Sequence, residues 1–208
     1  MVDVTGDQAD TSTADLVVDD VEPFAERAVD PGPAGLHVLV LCTGNAARSV
    51  MAGYMLEYRA EAAGLPLAVT TAGTHVIDGQ PMSMRTRGAL ATIPELDAIP
   101  VGRHRSRQLE EAELGQATLV VAMEADHVRY VRRRHPAAAP RTATLRRLCR
   151  DLGPPGPPLA ARVAALGLDE VELGDWEDVT DPAGGDDAIY TACAHELWEL
   201  TAQLMPLL

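Results

Sequence analysis

The residues best suited to chemistry lie close together near position 45, where Cys42 is followed by five residues and then by Arg48 and Ser49. A thiolate is a strong nucleophile, and a planar guanidinium can hold two oxygens of a phosphoryl group at once. The loop between them can curl so that successive backbone N–H groups point inward and form a cradle for an anion. The spacing therefore predicts a cysteine nucleophile that faces a bound phosphoryl group.

The flanking segments predict a strand before this motif and a helix after it. The stretch Leu36 to Cys42 is mostly apolar, as buried parallel strands are, and the turn residues Gly44 and Asn45 follow it. From Ala46 to Ala63 apolar residues recur at three- and four-residue steps, which predicts a helix. Positive potential at the start of a helix stabilises the thiolate of a cysteine placed there.

The rest of the chain alternates predicted strands with predicted helices. Strands are predicted at 67–72, 117–123 and 140–145, and helices at 82–91, 110–114, 125–134, 160–166 and 187–204. The stretch 149–159 holds four prolines and two glycines and is predicted to be a loop. This alternation predicts an α/β domain with a parallel sheet, in which ligands lie at the carboxyl ends of the strands.

Composition limits the function classes that need consideration. A length of 208 residues suits one domain, and 47% apolar residues allow a substantial core. The net charge of −14 argues against general nucleic-acid binding. No apolar run approaches the roughly 18 residues that span a membrane. Three scattered cysteines fit neither a disulfide framework nor a zinc site, so we expect no metal and a cytoplasmic location.

Residues 1–35 are predicted to be an acidic extension that precedes a domain at 36–208. Residues 1–30 contain nine acids and one base, and Pro31-Gly32-Pro33 follows them. This composition is typical of a flexible, solvated segment. The alternative is that its apolar residues dock on the domain, on the basic region 129–150 or on a basic partner.

A phosphoryl-transfer site also needs a proton donor for the leaving group. Asp181 is the candidate, because Pro182 favours an extended backbone at the residue before it and so aims the carboxylate. Asp178 is a nearby alternative.

Five signatures, in order along the chain, resemble those of the low-molecular-weight protein tyrosine phosphatase family. They are Cys42-Thr43-Gly44-Asn45-Ala46-Ala47-Arg48-Ser49, Thr71-Ala72-Gly73-Thr74, His104-Arg105-Ser106-Arg107-Gln108, Met123-Glu124 and Asp181-Pro182. The resemblance runs from about residue 36 to the end. It implies a three-layer αβα fold with a central four-stranded parallel sheet, flavodoxin-like in arrangement, and no cofactor.

The resemblance also implies roles for the catalytic residues. Cys42 attacks phosphorus and becomes a phosphocysteine, while Arg48 and the amides of residues 43–48 stabilise the equatorial oxygens. Asp181 protonates the leaving oxygen and then acts as the base for the attacking water.

Four further matched residues are implied to support the site. Ser49 donates its hydroxyl toward the thiolate. Asn45 holds the loop in a strained turn by bonding His104 and Thr71.

The mouth of the predicted site departs from the pattern of tyrosine-specific members. Those usually carry a Tyr after Asp-Pro, large aliphatic residues in the loop and an aromatic residue after the second strand. Here the corresponding residues are Ala183-Gly184, then Thr43 and Ala46, and 73–81 contains no aromatic residue. Phenyl rings bind well against aromatic walls, so we expect weak binding of phosphotyrosine peptides unless Trp176 lines the mouth.

Several functions therefore remain open. The main prediction is a cysteine phosphatase acting on phosphorylated protein, and the first alternative is a phosphatase for phosphoarginine or a small-molecule phosphate. Arsenate reduction needs two further cysteines near the site, whereas Cys149 and Cys193 are distant in sequence. A phosphate-binding module without turnover is disfavoured by the presence of Cys42, Arg48 and Asp181 together.

Overall fold

The computed structural model describes residues 35–96, 102 and 104–208. Four parallel strands form one sheet in the order β2-β1-β3-β4. The strands are β1 (Leu36–Cys42), β2 (Leu67–Gly73), β3 (Leu119–Ala122) and β4 (Thr142–Thr144). The predicted four-stranded parallel sheet is confirmed. The predictions for residues 1–34 fall outside the described residues.

Seven α-helices are present in the described part of the chain. They are α1 (Arg48–Ala63), α2 (Met84–Leu90), α3 (Glu111–Gln116), α4 (Ala125–Arg134), α5 (Leu145–Asp151), α6 (Leu159–Ala164) and α7 (Asp187–Leu204). Within these ranges, no helix is long and apolar enough to cross a membrane.

Successive residues of β1 point to opposite faces of the sheet and enter two separate cores. Val38 and Val40 pack in the larger core, to which α1, α2, α5, α6 and α7 contribute. Leu39 and Leu41 pack in the smaller core with residues of α3 and α4. A strand buried on both faces requires an apolar residue at almost every position, which explains the apolar run in the sequence. The three-layer αβα prediction is confirmed.

The strand order places the end of β1 at a switch point. The chain leaves β1 for β2 on one side and later returns to β3 on the other side. Connections that diverge in this way leave a crevice at the carboxyl ends of the strands. Cys42 is the last residue of β1 and therefore lies at this crevice.

Several predicted boundaries differ from the structure, and two of these differences have a clear physical reason. Helix α1 begins at Arg48 rather than Ala46, because residues 43–47 form the turn around the site. Helix α5 extends through Cys149 to Asp151, so the first three residues of the predicted loop 149–159 are helical. The prolines of that segment begin only at Pro154, after the helix has ended.

Helix α7 matches its predicted bounds, but Ile189 in its first turn lies outside the core. Ile189 is 46% exposed, whereas Cys193, Leu197 and Leu204 are buried. The first turn of α7 therefore extends beyond the body it packs against.

The basic region 129–150 uses many of its charges within the domain. Arg129 pairs with Asp126, Arg132 donates to main-chain carbonyls, and Arg146 pairs with Glu196. Docking of the acidic extension on this region stays a prediction.

The segment that leads to Asp181 is anchored by a buried ion pair. Glu177 is 0% exposed, and its Oε2 accepts hydrogen bonds from Arg147 Nε at 2.7 Å and Thr144 Oγ1 at 2.9 Å. The amide of Val179 donates to a carbonyl just after β3 at 2.8 Å. The chain is therefore fixed to the sheet up to two residues before Asp181.

This anchor makes Glu177→Gln a test of the segment. We expect the free energy of unfolding to fall by about 3 kcal/mol, because the buried Arg147 loses its main counter-ion. The loss stays at the low end for a broken buried pair, since Asp151 remains 3.3 Å from Arg147. Chemical denaturation of the variant and the parent protein measures this difference in the free energy of unfolding.

Glu196→Gln is the matched control, because Glu196 pairs with Arg146 where both side chains are partly exposed. That change should cost less than about 1 kcal/mol. Equal stability of the Glu177→Gln protein and its parent would contradict the anchoring role.

Candidate active site

Residues 43–47 curl between β1 and α1 in front of Cys42. Helix α1 starts without a capping side chain, and in the described part of the chain the amides of residues 44–47 donate to no other protein group. Unpaired amides beside a helix N-terminus favour an anion. Cys42 Sγ lies 3.0 Å from Ser49 Oγ and is placed at this cradle. This arrangement of amides next to the Cys42 thiol is what the predicted anion-binding loop requires, and anion binding itself stays a prediction.

Asn45 holds the turn of this loop. Its φ of +48° is left-handed, a conformation that Asn tolerates better than most residues. Its Nδ2 donates to Ser49 Oγ at 3.1 Å and Thr71 Oγ1 at 2.9 Å, and its Oδ1 accepts from the amide of Arg107 at 3.1 Å. Its carbonyl oxygen lies 2.7 Å from His104 Nε2. The implied contacts with Thr71 and His104 are both present.

Gly73 allows β2 to pass close to this loop. A Cβ atom at position 73 would lie 2.5 Å from the carbonyl oxygen of Thr43 and 2.9 Å from the amide of Asn45. The next residue, Thr74, donates its amide to the carbonyl of Cys42 at 3.0 Å. The second matched signature thus contains a glycine because two backbones meet there.

Arg48 brings distant parts of the chain together. It is 2% exposed, and its Nη1 donates to Glu124 Oε1 at 2.5 Å and to the carbonyl of Val179 at 3.0 Å. Its Nη2 donates to Asp181 Oδ2 at 2.6 Å and to Thr43 Oγ1 at 3.4 Å. A buried guanidinium needs such partners, because an unpaired charge away from water is strongly destabilising.

Asp181 and Asp178 have different surroundings. Asp181 contacts Arg48 and has a side chain 39% exposed, so it reaches both the site and solvent. Its Oδ1 accepts from the amide of Ala183 at 3.1 Å, and Pro182 is buried. Asp178 Oδ1 accepts from the amide of Ala125 at 2.7 Å and so serves the start of α4. Of the two candidates, Asp181 is the carboxylate at the site.

Two residues next to Arg48 and Thr43, Glu124 and His127, were not predicted from the sequence as site residues. Glu124 was noted only as part of a matched signature, and His127 lies one helical turn later, 2.9 Å from Thr43 Oγ1. The available signal was their position, since they open the helix that follows the third strand at the edge where ligands bind.

The other two cysteines have different environments. Cys149 Sγ donates to the carbonyl of Leu200 at 3.3 Å, and burial raises the pKa of this thiol to about 11. Burial likewise raises the pKa of Cys193 to about 12. Both remain protonated near neutral pH, and a protonated thiol is a poor nucleophile.

Trp176 does not take the place suggested for it at the mouth. Its ring packs against α5, with the guanidinium carbon of Arg150 3.7 Å from the ring centroid. Ala183, which follows Asp181-Pro182, is exposed, and Ile77, in the loop after β2, is 77% exposed and lines a pocket with His75 and Tyr130.

Comparison with known proteins agrees with this geometry. The sequence model for low molecular weight phosphotyrosine protein phosphatases matches residues 37–153. A protein-arginine-phosphatase from Geobacillus stearothermophilus is 30% identical over 169 residues, covering 81% of this chain and 93% of that protein. A low molecular weight protein-tyrosine-phosphatase from Streptomyces coelicolor is 36% identical over 124 residues, covering 57% of this chain and 70% of that protein.

A solved structure is similar over nearly its whole length. The low molecular weight protein tyrosine phosphatase from T. tengcongensis has a TM-score of 0.64 and 27% identity, and the match covers 83% of this chain and 99% of that one. Because the family match spans more than half of the chain and the cradle, cysteine and arginine lie within it, this chain belongs to the low molecular weight protein tyrosine phosphatase family and is a hydrolase of phosphoric monoesters.

Proposed function

We propose that this chain dephosphorylates protein side chains through a covalent intermediate on Cys42. The observation that carries the proposal is the convergence of Cys42, Arg48 and Asp181 on one anion cradle. In the first step the Cys42 sulfur bonds to phosphorus, the bond from phosphorus to the leaving group breaks, and Asp181 gives the leaving group its proton. In the second step water bonds to phosphorus, the S–P bond breaks, and Asp181 takes up a proton from that water.

Ser49 supports the attacking sulfur. Its oxygen accepts a hydrogen bond from Asn45 Nδ2 at 3.1 Å, so its own proton is available for Cys42 Sγ at 3.0 Å. A hydroxyl that donates to a thiolate stabilises the charged, nucleophilic form. Asn45 thus sets both the shape of the loop and the direction of this donor.

The contact between Arg48 and Asp181 offers a way to prepare the acid. Without substrate, the Asp181 carboxylate lies 2.6 Å from Arg48 Nη2. A bound phosphoryl dianion competes for the same guanidinium and places negative charge beside the carboxylate. Like charges favour the protonated carboxyl, which is the form that donates to a leaving group.

Phosphoarginine is the second candidate substrate, and the mouth of the site favours it. Where tyrosine-specific members usually have a large aliphatic residue in the loop and a Tyr after Asp-Pro, this chain has Ala46 and Ala183, and residues 73–81 contain no Phe, Tyr or Trp. Such a mouth offers little to a phenyl ring but leaves room for a flexible, charged side chain. The relative from Geobacillus stearothermophilus, named a protein-arginine-phosphatase, also supports this candidate. Arsenate reduction is less favoured, since Cys149 and Cys193 are protonated thiols.

The role of Asp181 predicts how its loss depends on the leaving group. Asp181→Asn should lower kcat/KM for phenyl phosphate by about 10²- to 10⁴-fold, since this leaving group needs a proton. The loss should be much smaller for p-nitrophenyl phosphate, whose leaving group departs readily without one. Steady-state kinetics on both esters gives, for each ester, the ratio of kcat/KM of the parent protein to kcat/KM of the variant.

Asp187→Asn is the control for that measurement, since the Asp187 side chain is 90% exposed. It should leave both ratios near one. A loss of the same size on the two esters would rule out Asp181 as the general acid.

The two candidate substrates can be separated directly. We expect peptides matched in sequence, carrying either phosphotyrosine or phosphoarginine, to differ in kcat/KM by at least about tenfold in favour of phosphoarginine, equivalent to about 1.4 kcal/mol of transition-state binding. The Cys42→Ser protein should release phosphate from neither peptide. A clear preference for phosphotyrosine would assign the chain to the main prediction, and a Cys42→Ser protein that still releases phosphate would exclude both.

A further inference from the structure

We propose that His127 is a positioning residue that holds the hydroxyl of Thr43 and, through it, one edge of Arg48. The inference rests on the proposed function, because it concerns how the phosphate loop is kept ready for the phosphoryl group. It adds a residue from the first turn of α4, which the matched signatures do not include.

The hydrogen bonds of His127 fix which of its nitrogens carries the proton. Its Nδ1 lies 3.1 Å from the amide nitrogen of Glu124, and a backbone amide is only a donor, so Nδ1 must accept. The proton of a neutral imidazole is then on Nε2. That nitrogen lies 2.9 Å from Thr43 Oγ1 and donates to it.

The surroundings keep this imidazole neutral. His127 is 3% exposed, and burial, followed by the nearby charge of Arg48, lowers its pKa to about 3. The carboxylate of Glu124 lies 3.4 Å from Nε2. The charge of Asp126 raises the pKa of His127 and that of His75 lowers it, and both effects are smaller than that of burial. A neutral ring with a fixed proton acts as a constant donor across the physiological pH range and takes no part in proton transfer.

Thr43 connects this donor to the guanidinium. Its Oγ1 accepts from His127 and also lies 3.4 Å from Arg48 Nη2, so the hydroxyl stands between the two side chains. Among the residues that the structure describes, the other partner of Arg48 Nη2 is the Asp181 carboxylate, which a phosphoryl group is proposed to displace. The Thr43 contact then remains to hold this edge of Arg48 toward the cradle.

Small errors in the position of a charge-stabilising group affect the transition state more than the bound substrate. His127→Ala and Thr43→Val should therefore each lower kcat by about tenfold, within the range for an unmade buried hydrogen bond, and change KM by less than about threefold. The double variant should lose no more than either single variant, since both changes break one chain of contacts.

Two conservative variants test whether the hydrogen bond itself is responsible. His127→Gln can place an amide N–H where Nε2 lies, and Thr43→Ser keeps the hydroxyl, so each should recover most of the lost kcat. His195→Gln, at an exposed histidine on α7, is the control and should leave kcat and KM at parent values. Losses that multiply in the double variant would overturn the proposal.

A spectroscopic measurement separates this inference from the proposed function. In ¹⁵N spectra of the parent protein, the His127 imidazole should stay neutral with its proton on Nε2 from about pH 5 to 8. Titration of His127 within this range, or a proton on Nδ1, would overturn the inference even in an active enzyme. If the parent hydrolyses none of the phosphorylated substrates, the proposed function fails, while the spectrum still decides the state of His127.

Discussion

The buried guanidinium of Arg48 is the constraint on which the rest of the site depends. At 2% exposure this charge must be matched by partners, and the chain supplies Glu124 from the end of β3 and Asp181 from the segment after the buried Glu177. Each partner is delivered by an element that is itself fixed, by the sheet or by an ion pair beneath it. The ion pairs of Arg48 thus hold the loop after β1 next to Asp181, which lies far along the chain.

The difference between local patterns and long-range contacts explains which features could be predicted from the sequence. The apolar run before Cys42, the turn residues after it and the period of α1 are local patterns, and they gave the strand, the loop and the helix. The contacts of Arg48 with Glu124 and Asp181 join residues 76 and 133 positions apart, which no local pattern records. Asp181 could be proposed because Pro182 follows it and because the pair matches a family signature, whereas His127 had neither mark.

Two smaller differences between the sequence-based predictions and the structure also have physical causes. Helix α5 continues through Cys149 because the side chain of Thr144 caps its start and the prolines come only later. Trp176 packs on Arg150, so the aromatic residue suggested for the mouth lies against α5 instead. The family fold does not by itself specify the substrate, so the preference for phosphoarginine stays a proposal that rests on Ala46, Ala183 and the absence of Phe, Tyr and Trp from residues 73–81.

The most direct test of the account is to trap the enzyme during turnover. Asp181→Asn protein is mixed with p-nitrophenyl phosphate, quenched in acid within the first turnover and digested for mass spectrometry. The account predicts that the peptide containing Cys42 gains the mass of one PO₃ group, while the peptides containing Cys149 and Cys193 do not. Phosphate on another residue, or turnover in which no phosphorylated peptide forms at any quench time, would contradict it.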